Sequence, residues 1–151
     1  MVIIDSDVFL IELRYPRDVR YQTNTQFLSN VRETAPAIAI YTLMEVLGQL
    51  SFNLSADKLA KWETWLQRRH SLTVLWPNSA GLDTLSFFRN EIYQRPLARM
   101  QADRMAFVDA LVLQLAEDTP AAQAFITWNA RHFRDKTHLP VLTPAEYLGL
   151  H

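Results

Sequence analysis

Three carboxylates stand where an ordinary core would exclude them. Asp5 ends the apolar run Met1-Val2-Ile3-Ile4, Glu45 follows Thr42 by three residues at the start of a helical pattern, and Asp109 interrupts the stretch from Ala106 to Leu113. Acids in such positions are costly unless something cationic accepts them. If the three converge to about 5 Å, each ionised pair repels by roughly 3 kcal/mol at an effective dielectric of about 20, so three pairs cost on the order of 10 kcal/mol. That is comparable to the whole stability of a domain. Protonation of the group relieves the repulsion, and so does a divalent cation, which turns it into attraction. Oxygen-only donors favour Mg²⁺ or Mn²⁺ over softer metals, because the chain has no cysteine and its 4 histidines show no paired ligand spacing. A magnesium ion held by one or two carboxylates takes phosphate oxygens as further ligands. This is the setting for phosphodiester hydrolysis by water activated at the ion.

The elements that must position these acids are short apolar runs alternating with longer helical patterns, the signature of a parallel sheet covered by helices on both faces. The pattern predicts strands over Val2 to Ile4, Ala37 to Ile40, Thr73 to Leu75, Ala124 to Thr127 and Val141 to Leu142. Helices are expected over Gln22 to Arg32, Thr42 to Ser51, Ser55 to Arg69, Ser79 to Glu91 and Leu97 to Glu117, with Pro96 favouring a break between the last two. Thr143-Pro144-Ala145-Glu146 reads as a final helix start with proline in its first turn. Trp62, Trp65 and Leu66 recur at helical spacing, and the aromatics are expected to pack in the core or between paired helices rather than to form a ligand box. In such sheets the ligand crevice lies outside the carboxyl ends of the strands, where strand order reverses. Asp5 after strand one, Glu45 in the first turn after strand two and Asn129 at the end of strand four would then face one rim, and the helix before strand four can turn Asp109 toward it.

Composition narrows the alternatives. With 151 residues, 49% of them apolar, the chain is long enough to bury one sizeable core and is expected to form a single domain over 1–151. The absence of cysteine excludes thiolate chemistry and is compatible with a reducing, cytoplasmic setting. No apolar run reaches the roughly eighteen residues of a membrane span, and Asp5 and Asp7 interrupt the first stretch before it could serve as a secretory signal. Only 3 glycines occur, and neither a GxGxxG loop nor a P-loop lysine motif is present. The net charge of -1 says nothing of partners, because it counts acids that bound cations would neutralise.

Taken in order, Val2-Ile3-Ile4-Asp5-Ser6-Asp7-Val8-Phe9-Leu10, Thr42-x-x-Glu45-Val46-Leu47, the run Phe107-Val108-Asp109-Ala110-Leu111-Val112-Leu113-Gln114-Leu115-Ala116 and the close Phe125-Ile126-Thr127-Trp128-Asn129-Ala130-Arg131-His132-Phe133 resemble the PIN-domain ribonucleases. The resemblance is strongest to the compact toxins of bacterial VapBC pairs. It spans the whole chain, including the terminal segment Leu139 to Leu148. It implies a PIN-like three-layer αβα sandwich with a central parallel sheet of about five strands, and a Mg²⁺- or Mn²⁺-dependent endoribonuclease that leaves a 5′-phosphate and a 3′-hydroxyl. Asp5, Glu45 and Asp109 match the family's acidic metal ligands. Asn129 falls where many members carry a fourth acid, so a second metal site is in doubt. Implied partners are an RNA substrate, a cognate antitoxin and a second copy of the chain in a homodimer. Phe52, Leu54, Trp62 and Trp65 are candidates for the wall of an antitoxin groove.

Plainer readings stand beside these. Asp5 and Asp7 can cap the helix after strand one, Thr42 and Glu45 can form a capping box, Asp109 can pair with an arginine, and Asn129 can be a cap or turn residue. Arg89, Arg95, Arg99 and Arg104 ahead of Asp109, with Arg131, His132 and Arg134 after Asn129, are candidate phosphate contacts or a solvated surface. Two other functions compete. Val2-Ile3-Ile4-Asp5-x-Asp7-Val8 also resembles the first motif of haloacid-dehalogenase-type phosphatases, but no Gly-Asp pair exists and the only lysines are Lys58, Lys61 and Lys136. A PIN-like RNA-binding scaffold that no longer cuts is the third possibility.

Overall fold

The computed structural model describes residues 1–150. Five strands, β1 (Val2–Ile4), β2 (Pro36–Ala39), β3 (Thr73–Leu75), β4 (Ala124–Ile126) and β5 (Val141–Leu142), form one sheet in the order β3-β2-β1-β4-β5. Every pairing is parallel, with Ile3 opposite both Ala37 and Phe125. Period-2 alternation explains the two cores. Val2, Ile4, Ile38, Ala124 and Ile126 enter one apolar cluster, while Ile3, Ala37, Ala39, Phe125 and Val141 enter the other. Helices α1 (Ser6–Arg14), α2 (Tyr21–Asn30), α3 (Ile40–Ser51) and α4 (Ala56–His70) supply Phe9, Phe27, Leu43 and Leu66 to the first cluster. Helix α7 (Phe107–Glu117) supplies Ala110, Val112, Leu113, Leu115 and Ala116 to the second. The result is the three-layer α/β architecture that the alternating pattern predicts.

Several boundaries differ from expectation. Ile40 opens α3 instead of closing β2, so Thr42 lies inside the helix, the N-cap is Ala39, and no side-chain cap exists there. The expected Thr42–Glu45 capping box is therefore absent, and Glu45 lies in the second helical turn rather than the first. The first turn of α3 needs no such box because the chain passes directly from strand into helix, with Ala39 already extended. Pro96 does not break the chain. Helix α5 (Thr84–Arg89), a π-helical segment over Asn90–Gln94 and α6 (Arg95–Asp103) run on continuously, with Pro96 in the first turn of α6. A π segment already displaces the hydrogen-bond ladder, so the missing N–H of proline is tolerated there. The break comes instead at Arg104, which takes a left-handed conformation with φ 49 and donates its N–H to Met100 O at 3.1 Å. Two short helices, α8 (Ala130–Phe133) and α9 (Pro144–Tyr147), complete the chain, and α9 has the capping box Thr143–Glu146. Of these three residues at helical spacing, Trp62 is half-buried against the core, Leu66 is buried, and Trp65 is 41% exposed with its ring 4.6 Å from that of Trp62. Among the described residues no helix is long and apolar enough to cross a membrane.

Candidate functional site

Strand order reverses between β1 and β4, because β1 leads outward to β2 and β3 on one side while β4 and β5 lie on the other. The crevice outside their carboxyl ends is where Asp5, Asp7, Thr127 and Asn129 emerge. Asp5 continues the ladder by donating its N–H to Ile126 O at 2.9 Å, and its Oδ1 accepts the Ser6 N–H at 2.8 Å. It is thus the N-cap of α1, which leaves Oδ2 outside the cap.

Asp7 has a role that its spacing alone does not reveal. Its Oδ2 accepts from Thr127 Oγ1 at 3.0 Å, Trp128 N at 2.9 Å and Asn129 N at 3.1 Å. One carboxylate oxygen therefore clasps the whole turn after β4 to the first turn of α1. Its other oxygen, Oδ1, is buried with no hydrogen-bond partner among the described residues. Trp128 is held from the other side, its Nε1–H donating to Asn24 Oδ1 at 2.8 Å while Arg20 lies over its ring at 5.6 Å. Asn129 precedes α8 as its N-cap residue, but its side chain makes no capping bond and is exposed.

Burial pushes the Asp5 carboxyl up to about 8, and the neighbouring Asp7 and the charge of Glu45 add to the rise, against the Ser6 N–H and the Thr127 hydroxyl. Burial likewise raises Asp7, offset by the hydroxyl and amide donors of Thr127, Asn129 and Trp128. The repulsion at Asp5 comes from Asp7 and Glu45, not from the expected convergence of Asp5, Glu45 and Asp109, and together with burial it favours the protonated acid. Glu45 is exposed on α3 and contributes to the field at Asp5.

Asp109, half-buried in the first turn of α7, faces a histidine rather than an arginine, with His132 Nε2 3.3 Å from its Oδ2. Among the described residues, no three acidic or histidine side chains are close enough together to enclose one ion. The donor chemistry nevertheless suits a hard cation. Oxygen atoms predominate, Asp7 Oδ1 lacks a partner, and the charges of Asp7 and Glu45 resist ionisation of Asp5, a resistance that a positive ion would reverse.

A second polar cluster escaped the sequence reading. Glu91, in the π segment and 4% exposed, accepts from Tyr41 Oη at 2.6 Å and Gln114 Nε2 at 2.8 Å. Tyr41 lies on α3 one turn before Glu45, and Gln114 lies on α7 beyond Asp109. The buried carboxylate therefore ties together the two helices that carry those acids. Burial, and then Glu91, push the Tyr41 phenol well above its ordinary range. Gln114 within an apolar helix was the available signal.

The expected phosphate-contact arginines divide. Arg95 makes a two-pronged pair with Asp118, Arg99 pairs with Glu117 and Arg134 with Glu146. These three tie separate elements of the fold together. Arg89, Arg104 and Arg131 are exposed and form no ion pair among the described residues.

No family model and no curated protein sequence matches the chain. Among solved structures, it matches a chain in the crystal structure of VapBC2 from Rickettsia felis bound to a DNA fragment from their promoter. The TM-score is 0.62 at 13% sequence identity, with 95% of this chain and 98% of that chain covered. The likeness is one of fold, and it places this all-parallel sandwich with the PIN-like architecture.

Proposed function

We propose that the chain is a divalent-metal-dependent endoribonuclease, the VapC-type toxin of a toxin–antitoxin pair. One observation carries the reading: a carboxyl pushed up to about 8 by burial and neighbouring acids, at the switch point of a parallel sheet with the PIN-like fold. Such a site is poised to exchange a proton for a hard cation. By the family resemblance Asp5, Glu45 and Asp109 would hold Mg²⁺ or Mn²⁺, for which the three must draw closer together than they stand in the metal-free chain. When bound, that ion supplies a Lewis acid for the phosphodiester and lowers the pKa of water beside it.

The chain's own residues supply the rest. Asp5, capping α1 with one oxygen, has its carboxylate direction set by the helix. Asp7 holds the Thr127–Asn129 turn, so the Asn129 amide is presented at the rim as a neutral donor and acceptor for substrate oxygens. His132 Nε2, 3.3 Å from Asp109 Oδ2, can hold the direction of that carboxylate. The unpaired Arg104 and Arg131 are the rim's candidates for offsetting phosphate charge. An antitoxin would restrain the activity by covering the apolar surface at Phe52, which is 84% exposed, and by bringing a basic group to the acids. Homodimerisation belongs to the same reading.

Incubation of structured RNA with and without Mn²⁺ tests the chemistry. Cleavage that requires the metal and vanishes in the Asp5→Ala/Glu45→Ala/Asp109→Ala protein is expected, and RNA left intact by the wild type with Mn²⁺ would refute it. Expression in bacterial cells without a partner tests the toxin role, because wild type must then arrest growth where Asp109→Asn does not. A second reading, a scaffold that binds RNA without cutting, is favoured by the engagement of Asp109 with His132. RNA retention without cleavage in Mn²⁺ identifies it. The phosphatase reading loses support, because Asp7, its expected general acid, is clasped by three donors.

A further inference from the structure

The opposite end of the sheet carries the other charge. Arg32 lies in the 3-10 turn Val31–Thr34 that leads into β2, while Lys61, Arg68 and Arg69 lie on α4, whose C-terminus leads into β3. Together with Thr64 and Trp65 they line a groove of about 710 Å³, and no acidic side chain is among its lining residues. None of the four cations forms an ion pair among the described residues. The nearest acid on α4, Glu63, accepts from Gln67 instead. An adjoining cavity of about 190 Å³ shares Arg32 and Arg69 and is lined by His70, which is buried and whose Nε2 has no hydrogen-bond partner among the described residues. The acid of that cavity, Glu12, is engaged by the Thr25 hydroxyl.

Cations gathered without counterions repel one another, and a polyanion offsets that repulsion along its length. The aromatic member decides which polyanion. Trp65 is 41% exposed, and the Arg69 guanidinium lies 5.4 Å from its ring centroid. An acidic peptide needs only the charges, whereas an exposed indole among cations is the pairing that holds single-stranded nucleic acid, stacking a base while the groove follows the backbone. We propose that this groove is a binding track for single-stranded RNA, with Arg32, Lys61, Arg68 and Arg69 on the phosphates and Trp65, whose ring packs against Trp62 at 4.6 Å, offering its exposed part to a base. The track uses none of the residues of the acidic rim, so it stands or falls independently of cleavage.

Fluorescence anisotropy of a labelled single-stranded RNA of about 12 nucleotides, titrated with the full chain in EDTA, tests it. Four phosphate contacts predict a log–log salt slope of about -3. Lys61→Glu/Arg68→Glu, at two exposed positions, is expected to weaken binding at least about 10-fold and to roughly halve that slope. Trp65→Ala is expected to weaken binding by about 10-fold with the slope unchanged. Wild-type affinity in the charge-reversed protein, with melting unchanged, overturns the proposal. So does displacement of the RNA by poly-glutamate as effectively as by unlabelled RNA at equal charge, which would make an acidic protein segment the occupant.

Discussion

The two ends of the strands reach opposite charge by different means. At the carboxyl ends, Asp5 and Asp7 are half-buried, fixed by backbone donors, and raised above the ordinary carboxylate range. At the amino ends, Lys61, Arg68 and Arg69 are exposed on one helix and form no ion pair among the described residues. Buried acids must take up either a proton or a cation, so the first region is a chemical switch. Exposed cations need neither, so the second is a surface that attracts without changing state. A net charge of -1 conceals both, since it sums 15 basic against 16 acidic residues wherever they lie.

The contrast breaks most visibly in activity. Asp5→Asn should reduce Mn²⁺-dependent RNA cleavage at least about 100-fold, a loss of the size expected from disturbing a metal's ligands. The same variant should leave RNA binding in EDTA unchanged. A cut in binding equal to the cut in cleavage would show that the two ends are not separate.

The next effect is on stability. Burial and the neighbouring acids push the folded Asp5 carboxyl up to about 8 from an ordinary 3.8, so the unfolded chain binds fewer protons throughout that interval. Stability of the metal-free protein should therefore fall as pH rises from about 4 to about 8, by on the order of a few kcal/mol after allowance for the solvent-open part of the side chain. Melting temperatures in EDTA check this, and Asp5→Asn should flatten the decline. Added Mn²⁺ should restore stability at pH 8 in the wild type but not in Asp5→Asn, and Lys61→Glu/Arg68→Glu should behave as the wild type does.

Asp7→Ala removes three hydrogen bonds from the turn after β4, at a cost of about 1–3 kcal/mol. Hydrogen exchange should report it locally, with protection lost at the amides of Trp128 and Asn129 and retained in β3. Asp7→Asn keeps an acceptor oxygen and should cost less, so this residue cannot serve as a silent control for nuclease chemistry. The smallest effect belongs to His132→Ala, expected to change stability by less than about 1 kcal/mol because the pair with Asp109 is partly exposed. A larger change in urea midpoint would make that pair a structural element of the rim.

Periodicity was enough for the strands: β1, β3 and β5 fall on the predicted residues, because short apolar runs between turn signals have few other ways to be buried. It failed where local patterns compete. Thr42-x-x-Glu45 has the letters of a capping box, yet the helix starts two residues earlier, since the tight strand-to-helix passage at Ala39 decides the boundary. Pro96 has the letters of a break, yet the π segment before it absorbs the missing donor. Trp65 has the spacing of a core residue, yet it stays 41% exposed and packs against Trp62, one turn back on the same helix.

What the chain of letters determined by itself was a parallel α/β sandwich and the unusual placing of Asp5 and Asp109, because burial of apolar runs and the cost of desolvating an acid are properties of short segments. Only the tertiary structure decided which partner each acid receives. Asp7 meets Thr127 and the following amides across 120 residues, Asp109 meets His132, and Glu91 joins Tyr41 to Gln114. Hydrogen bonds and ion pairs act over a few ångströms, and those distances are set by how strands register and helices pack, which no local spacing encodes.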